Sequence, residues 1–147
     1  MKVYIGCDHG GVYLKAAVKE HLTEEHIEFE DLGVHETVST DYGPIAKRVA
    51  ELVVGDVEAL GILICGTGIG MSIMANKVNG ARAAVVHDTF SAAATRGHND
   101  SNILCMGERV IGPGLAIDVV KTWLSTTFEG GRHQRRVDYI NNYEIKA

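Results

Sequence analysis

The alternation of short apolar runs with longer amphipathic stretches constrains the fold of this chain more than any other feature. Continuous apolar runs of about four to eight residues are typical of strands buried on both faces, and apolar residues at every third or fourth position indicate a helix. The predicted strands are residues 3–7, 27–31, 60–65, 81–86 and 102–106. The predicted helices are residues 12–22, 45–54, 69–77, 89–96, 115–128 and 132–145.

Five strands that alternate with helices predict an α/β fold. We expect a Rossmann-like, five-stranded parallel sheet in the flavodoxin-like order 2-1-3-4-5, with helices on both faces and a C-terminal helix. The chain has 147 residues, which fits one domain over residues 1–147.

Charge and composition exclude several classes of protein. The formal net charge is −5, which argues against nucleic acid or an anionic membrane as the main partner. No apolar run reaches the length of a membrane span, and the first residues fit a strand rather than a signal peptide, so we expect a cytoplasmic protein. The cysteines form no C-x-x-C pair and the histidines no H-x-x-x-H pair, so neither a disulfide framework nor a metal site is expected. Cys7 and Cys105 are interpreted as core residues.

The ligand site of an open parallel sheet lies beyond the carboxyl ends of its strands, where the strand order reverses. In the expected order this point lies between the first and third strands. The loops there are Cys-Asp-His-Gly-Gly at residues 7–11 and Cys-Gly-Thr-Gly-Ile-Gly at residues 65–70. Because both loops carry glycines and reactive side chains, the fold and the residue types indicate the same place.

Cys65 ends a predicted buried strand and opens the second of these loops. A lone cysteine there is most often a core residue, and the glycines after it also suit a tight strand–helix turn. At this edge of the sheet, however, N–H groups at a helix start bind anions and stabilise a thiolate. The spacing of Gly66, Gly68 and Gly70 does not fit a dinucleotide fingerprint, because Met71 stands where another glycine is needed, and a P-loop lysine is absent.

Other polar side chains could bind a ligand, but each also has a purely structural explanation. Asp8 and His9 can reach a ligand in the first loop, but Asp8 also suits a helix N-cap. His98 stands in a His-Asn-Asp stretch that is typical of a turn. Arg132 and Arg136 share a helix face and suit a dianionic phosphate, or else form a solvated basic face.

Longer stretches of the chain resemble a known family. These are GCDHGG at 6–11, TDYG at 40–43, ILICGTGIGMSIMANKVNGARAA at 62–84, HNDSNIL at 98–104, GERVIG at 107–112 and EGGRHQRRV at 129–137. Together they resemble the B-type ribose-5-phosphate isomerases, the family that also holds allose-6-phosphate isomerases and the subunits of galactose-6-phosphate isomerase. The resemblance covers nearly the whole chain and implies an aldose–ketose isomerase that needs neither a cofactor nor a metal.

The resemblance implies a role for each matched residue. Cys65 matches the proton-abstracting base, His98 the residue that opens the sugar ring, and Thr67 a hydroxyl that contacts the enediolate. The matched substrate-binding residues are Asp8, His9, Gly66, Gly68, Ile69, Gly70, Asn99, Arg109, Arg132 and Arg136. Met71 stands where one branch of the family has a glutamate base, which fits the cysteine branch. Gly43-Pro44 departs from the family pattern, in which proline follows the tyrosine directly.

The expected reaction interconverts ribose 5-phosphate and ribulose 5-phosphate through an enediolate. The alternative within the class is an isomerase of allose 6-phosphate or galactose 6-phosphate, because the same residues serve six-carbon substrates. The alternative from another class is a non-catalytic doubly wound domain that binds phosphate or flavin. The expected partner is therefore a small sugar phosphate, with no nucleic acid and no membrane.

The active site is expected to be shared between two subunits. His98 precedes the last strand, which the order 2-1-3-4-5 puts at the opposite edge of the sheet from Cys65. A homodimer in which each subunit lends His98 to its partner brings the two residues to one sugar, and a dimer of dimers is compatible with this.

Overall fold

The computed structural model describes residues 1–143, so the end of the helix predicted over residues 132–145 lies outside the described residues. The strands are β1 (Lys2–Cys7), β2 (Phe29–Asp31), β3 (Ala59–Cys65), β4 (Ala83–Val85) and β5 (Ile103–Gly107). The helices are α1 (Val12–Glu24), α2 (Tyr42–Val54), α3 (Ile69–Ala75), α4 (Thr89–Asn99), α5 (Pro113–Ser125) and α6 (Arg132–Asn142). Within residues 1–143, no helix is both long and apolar enough to cross a membrane.

The five strands form one parallel sheet, which confirms the predicted α/β class. The order β2-β1-β3-β5-β4 corrects the flavodoxin-like prediction, because β5 lies beside β3 and β4 occupies the edge. The reason lies in burial. Every residue of β5 is buried, as an interior strand requires, whereas β4 has three residues and is partly exposed, as suits an edge.

Alternate residues of the central strands face two separate cores. Ile62 and Ile64 pack with α1 and α5, including the fully buried Trp123. Leu63 and Cys65 face the opposite side and pack against α2 and α3. Since helices cover both faces, the strands are nearly continuous apolar runs, and the end of β3 lies between buried layers.

Three helices, α2, α4 and α5, have boundaries that differ from the prediction. Helix α2 begins at Tyr42 rather than residue 45, because Pro44 falls in the first turn, where its missing N–H costs no hydrogen bond. Helix α4 continues to Asn99, so His98 is helical, and the chain turns at Asp100 with φ of +48°. Helix α5 begins at Pro113 and ends at Ser125, three residues before the predicted end.

Candidate active site

Cys65 is the last residue of β3, and it is only 4% exposed. The backbone amide of Gly68 donates a hydrogen bond to its Sγ over 3.0 Å. Gly68 has φ of +79°, and a Cβ at this position would lie 3.0 Å from the carbonyl carbon of Met106. Glycine is therefore needed at position 68 for its backbone conformation and its close approach to β5, and the resulting loop directs an N–H group at the sulfur.

Thr67 and Tyr42 contact the rest of this glycine loop. The hydroxyl oxygen of Thr67 accepts a hydrogen bond from the amide of Ile69 over 3.2 Å, which leaves the hydroxyl proton free to be donated elsewhere. The ring of Tyr42 lies against Gly70, where a Cβ would be 2.6 Å from the ring Cζ. Tyr42 is a site residue that the sequence reasoning missed. It stands in the TDYG stretch, which carried the family resemblance without an assigned role.

The loop after β1 packs against the loop after β3. Gly10 packs closely on Gly66, because a Cβ at position 10 would lie 3.1 Å from the amide nitrogen of Gly66. Asp8 is 7% exposed, and its Oδ1 accepts a hydrogen bond from the amide of Gly10 over 2.8 Å. Asp8 does not cap α1, whose N-cap residue makes no side-chain hydrogen bond. His9 accepts at Nδ1 from the amide of Thr40 over 3.1 Å, which fixes the imidazole to the segment before α2.

The loop after β5 closes the same site. The amides of Glu108 and Arg109 donate to the carbonyl oxygens of Cys65 and Gly66 over 2.9 and 3.1 Å. The guanidinium of Arg109 lies over Gly66, because a Cβ there would be 3.1 Å from Nη1. A fixed cation therefore stands beside the residue that follows Cys65, where it would attract an anionic ligand.

His87 follows strand β4 and holds the end of β5 by a hydrogen bond. It is the second site residue that the sequence reasoning missed. Its Nε2 accepts a hydrogen bond from the amide of Gly107 over 2.8 Å. Burial lowers the pKa of His87 below its ordinary value of 6.5, and the nearby Asp88 carboxylate opposes this shift. Gly107 packs on the loop backbone, where a Cβ would be 2.6 Å from the Cα of Thr67. A histidine after a short edge strand carries no sequence signal of this role.

A second cluster of polar side chains forms where α4 ends and α6 begins. His98 Nε2 lies 3.4 Å from Glu129 Oε2, and His133 Nε2 lies 3.9 Å from Glu129 Oε1. The two imidazoles stack with their centroids 4.2 Å apart and an angle of 11° between their planes. Burial lowers the pKa of His133, and the positive charges of His98, Arg132 and Arg136 lower it further against the opposing Glu129 carboxylate. Sequence reasoning assigned no site role to Glu129 or His133.

This second cluster also contains the remaining predicted residues. Asn99 follows His98 at the end of α4, and Arg132 and Arg136 are exposed on α6. In the described part of the chain, His98, Glu129 and His133 form a group of potential metal ligands whose ligand atoms all lie within 4.8 Å of one another. This end of the molecule is therefore rich in imidazole and guanidinium groups.

The two clusters lie at opposite ends of the sheet. Cys65 pairs with Gly107 at the carboxyl end of β5, whereas His98 stands in the last turn of α4, just before Ile103 opens that strand. The strand rise of about 3.3 Å per residue puts about 13 Å between Ile103 and Gly107 alone. Cys65 and His98 are thus far apart within one chain, as expected. They are separated along the length of the neighbouring strands β3 and β5, however, and not by the width of the sheet.

The other two cysteines are core residues, as predicted. Cys7 and Cys105 are fully buried, and no cysteine of the chain is in a disulfide. Burial raises the pKa of Cys7 to about 11 and raises that of Cys105 further still. Neither thiol is therefore available as a base near neutral pH.

Comparison with known proteins identifies the family of the chain. The family model described as Ribose/Galactose Isomerase matches residues 3–140. Bacillus subtilis "Putative sugar phosphate isomerase YwlF" is 58% identical over 99% of both chains. Escherichia coli "Ribose-5-phosphate isomerase B" is 47% identical over 97% of this chain and 96% of its own length. Pectobacterium atrosepticum "D-erythrulose-4-phosphate isomerase" is 39% identical over 98% of this chain and 95% of its own.

Solved structures agree with these relatives. Ribose-5-phosphate isomerase B of Clostridium thermocellum superposes with a TM-score of 0.92 at 49% identity, covering 96% of this chain and 95% of that chain. The Mycoplasma genitalium enzyme of the same name, solved with bound ribulose-5-phosphate, superposes with a TM-score of 0.93 at 41% identity, covering 97% and 95%. The chain therefore belongs to the ribose/galactose isomerase family and is an isomerase.

Proposed function

We propose that this isomerase interconverts ribose 5-phosphate and ribulose 5-phosphate through an enediolate, with Cys65 as the base. The observation that carries the proposal is the hydrogen bond from the Gly68 amide to the Cys65 sulfur. This N–H group is a hydrogen-bond donor at the atom that would act as the base, and a sulfur base removes a proton as the thiolate. The Mycoplasma genitalium structure with bound ribulose-5-phosphate supports the choice of substrate.

The chemistry consists of ring opening followed by two proton transfers on carbon. His98 donates a proton to the ring oxygen as the bond from C1 to that oxygen breaks, and the proton of the C1 hydroxyl leaves to water. The furanose thereby opens to the aldehyde, and His98 recovers its proton from solvent. Cys65 then takes the proton from C2, and the electrons of that bond move through C1 to O1 to form the enediolate. When Cys65 returns the proton to C1 and the hydroxyl proton of O2 passes to O1, the ketose results and the base is regenerated.

The glycine loop would stabilise the charge that builds up on the enediolate oxygens. The amides of Gly68 and Ile69 already donate to the Cys65 sulfur and the Thr67 hydroxyl oxygen, so the donors to the enediolate would be other amides of residues 66–70 and the Thr67 hydroxyl, which keeps its proton. Each N–H donor directed at developing charge lowers a barrier by about 3 kcal/mol. Asp8, nearly buried and held by Gly10, would contact the sugar hydroxyls. The reaction as written needs neither a metal nor a nucleotide.

The phosphate and the ring-opening histidine would come to each site from two subunits. His98, Asn99, Arg132 and Arg136 lie at the end of the sheet away from Cys65, so the site is incomplete within one chain. Exposed apolar side chains on α3 and α4 support a homodimer, among them Ile69 at 53%, Ile73 at 59% and Phe90 at 83% exposure. His9 and Arg109 would meet the phosphate from the Cys65 side, and a dimer of dimers is compatible with the same contacts.

His98 would be oriented by Glu129. The carboxylate lies 3.4 Å from His98 Nε2, and the stacked His133 ring limits the rotation of the imidazole. A carboxylate beside a histidine stabilises the imidazolium that donates the proton. Glu129 is therefore a positioning residue in this proposal, since it acts on the sugar only through His98.

Six-carbon sugar phosphates are the competing substrates within the class. The relative named for D-erythrulose 4-phosphate indicates that the number of carbons in the substrate varies in the family. A non-catalytic flavin or phosphate carrier is not favoured, because the relatives are isomerases. Three free thiols and a phosphorylated substrate fit an enzyme of the reducing cytoplasm.

Catalytic efficiency tests this proposal. The purified protein should convert ribose 5-phosphate with a higher kcat/KM than allose 6-phosphate, galactose 6-phosphate or erythrulose 4-phosphate. A reversed preference would transfer the assignment to the other sugar. No conversion of any aldose phosphate would contradict isomerase activity at this site.

A further inference from the structure

The side chains of His98, Glu129 and His133 hold their ligand atoms close to one another. Their imidazole nitrogens and carboxylate oxygen all lie within 4.8 Å of one another. Zinc binds imidazole nitrogen at about 2.0–2.1 Å and carboxylate oxygen at about 2.0–2.2 Å, so tetrahedral ligand atoms stand about 3.4 Å apart. His98 Nε2 lies 3.4 Å from one carboxylate oxygen of Glu129 and His133 Nε2 lies 3.9 Å from the other, so both imidazoles stand near this spacing from the carboxylate.

The backbone holds two of these ligands in place. The amide of Glu129 donates to the carbonyl oxygen of Gly97 over 3.0 Å, and the carboxylate occupies the space that a side chain at position 97 would fill. His133 is 6% exposed and lies in the first turn of α6, where its amide donates to the carbonyl oxygen of Gly130 over 3.0 Å. To share an ion with His133, the imidazole of His98 has to rotate out of its stack on the His133 ring, and its 45% exposed side chain has room to do so.

We propose that His98, Glu129 and His133 form a binding site for a divalent transition-metal ion of the Zn²⁺ class, and that an ion bound there inhibits the enzyme. Two imidazoles and one carboxylate are a ligand set that suits Zn²⁺, with a water in the fourth position. The positive charges of Arg132 and Arg136 act on His133 and weaken the attraction for a cation. The Glu129 carboxylate offsets part of this repulsion, so the site suits reversible binding rather than a permanent structural ion.

The proposal that the bound ion inhibits the enzyme rests on the proposed function of His98. A metal ion that takes the Nε2 lone pair of His98 replaces the proton shared with Glu129, so the ring can no longer form the imidazolium that donates a proton to the ring oxygen. Ring opening then stops, while proton transfer by Cys65 on an open-chain sugar does not depend on this histidine. Zn²⁺ should therefore inhibit turnover of ribose 5-phosphate reversibly, and a chelator should restore it.

The experiment titrates the metal-free, full-length protein with Zn²⁺ by calorimetry and with Co²⁺ by visible absorption. We compare the wild type with Glu129→Gln and His133→Gln, because the exposed Glu129 can be replaced without disturbing the core. His35→Gln is the matched control, since His35 is an exposed histidine beside another carboxylate, Asp31. Cys65→Ser removes the thiol that could itself bind either ion.

The site predicts one Zn²⁺ per chain and a tetrahedral Co²⁺ spectrum without a sulfur-to-metal band. Glu129→Gln and His133→Gln should each raise the dissociation constant at least about 10-fold, while His35→Gln and Cys65→Ser bind as the wild type does. Unchanged affinity in both cluster variants, or binding that is lost in Cys65→Ser, would overturn the site. Binding that leaves turnover unchanged would overturn the inhibition. Absence of isomerase activity in the metal-free protein would instead count against the proposed function, and the binding result would stand.

Discussion

The amide of Gly68 and the sulfur of Cys65, three residues apart, form a hydrogen bond of 3.0 Å across the turn that joins β3 to α3. Cys7 and Cys105, by contrast, lie within the core, where burial raises their pKa values. In the proposed reaction, the short loop thus places an N–H donor at the sulfur of the base, which apolar packing alone would not provide.

Replacing Cys65 by alanine should abolish proton transfer and leave substrate binding nearly intact. A general base contributes about 10²–10⁴-fold to the rate, so turnover should fall by at least that range. The measurement is exchange of the C2 proton of ribose 5-phosphate with solvent deuterium, followed by NMR. Exchange at the wild-type rate in Cys65→Ala would exclude Cys65 as the base.

Cys105→Ala is the matched control. Cys105 faces the same core as Cys65 but is fully buried, so its loss should reduce the free energy of unfolding by about 1–2 kcal/mol and leave exchange nearly unchanged. Urea denaturation and the same NMR assay separate the two effects.

Local patterns in the sequence were sufficient to predict the position of Cys65. An apolar run that ends in cysteine and is followed by three spaced glycines specifies a strand, a tight turn and a helix start without reference to the rest of the chain. The strand order was harder to predict, because apolar patterning reports burial and not which strands are neighbours. The apolar run at residues 81–86 is as long as the other predicted strands, so nothing in it shows that β4 is a three-residue strand at the edge.

The residues missed by sequence reasoning are those defined by contacts across the chain. Tyr42 meets Gly70, and Glu129 meets Gly97. His87 likewise acts on a glycine 20 positions away. Each contact joins residues whose local surroundings are ordinary, and only the three-dimensional fold brings them together.

Gly97→Ala should lower activity without lowering stability. A Cβ at position 97 would lie 2.6 Å from Glu129 Oε2, so the flexible carboxylate must move away from His98. Alanine also gains up to about 1 kcal/mol of helix propensity over glycine within α4. We therefore expect an unchanged or raised melting temperature and a fall in turnover of about 10-fold, the value of a lost charged hydrogen bond of about 1.5 kcal/mol.

A double-mutant cycle with Glu129→Gln tests this explanation of Gly97→Ala. If the alanine acts by displacing the carboxylate, the double variant should be no slower than Glu129→Gln alone. Additive losses would mean that Gly97 affects turnover by another route.

Arg132→Ala and Arg136→Ala should raise KM for ribose 5-phosphate far more than for unphosphorylated ribose. The loss of a charged hydrogen bond to phosphate costs about 1.5–3 kcal/mol, or about 10- to 100-fold in KM. Steady-state kinetics on both sugars measure the difference. Arg135→Ala is the control on the same helix, and equal weakening of both substrates by Arg132→Ala would assign that residue a structural role.

The stability of the protein should fall as the pH falls below 6.5, in part because of His87. Burial lowers the folded-state pKa of His87 below 6.5, so the unfolded chain takes up a proton before the folded chain does. The contribution of His87 to the free energy of unfolding is therefore complete above pH 6.5. It is lost as the pH falls through the lowered pKa of His87, because the protonated ring can no longer accept the hydrogen bond from the Gly107 amide. His133, whose pKa is also lowered, adds a loss in the same direction.

His87→Gln tests this contribution, because glutamine can accept the same hydrogen bond without titrating. Urea denaturation at about pH 7.5 and about pH 5 should show a smaller loss of unfolding free energy in the variant than in the wild type. Equal losses in both proteins would mean that His87 does not contribute to the pH dependence.

The separation of Cys65 from His98 predicts that two inactive variants restore each other. The residues lie at opposite ends of neighbouring strands, and one sugar requires both in the proposed reaction. In a two-fold dimer, a mixed pair of Cys65→Ala and His98→Ala subunits builds one site with both residues intact and one site with neither. Random exchange makes about half of all dimers mixed, so activity should recover to about a quarter of the wild-type value, by counting sites under two-fold symmetry. Mass spectrometry of the mixture verifies that subunits have exchanged. If exchange is complete and activity stays at the level of the separate variants, the active site is not shared between two subunits.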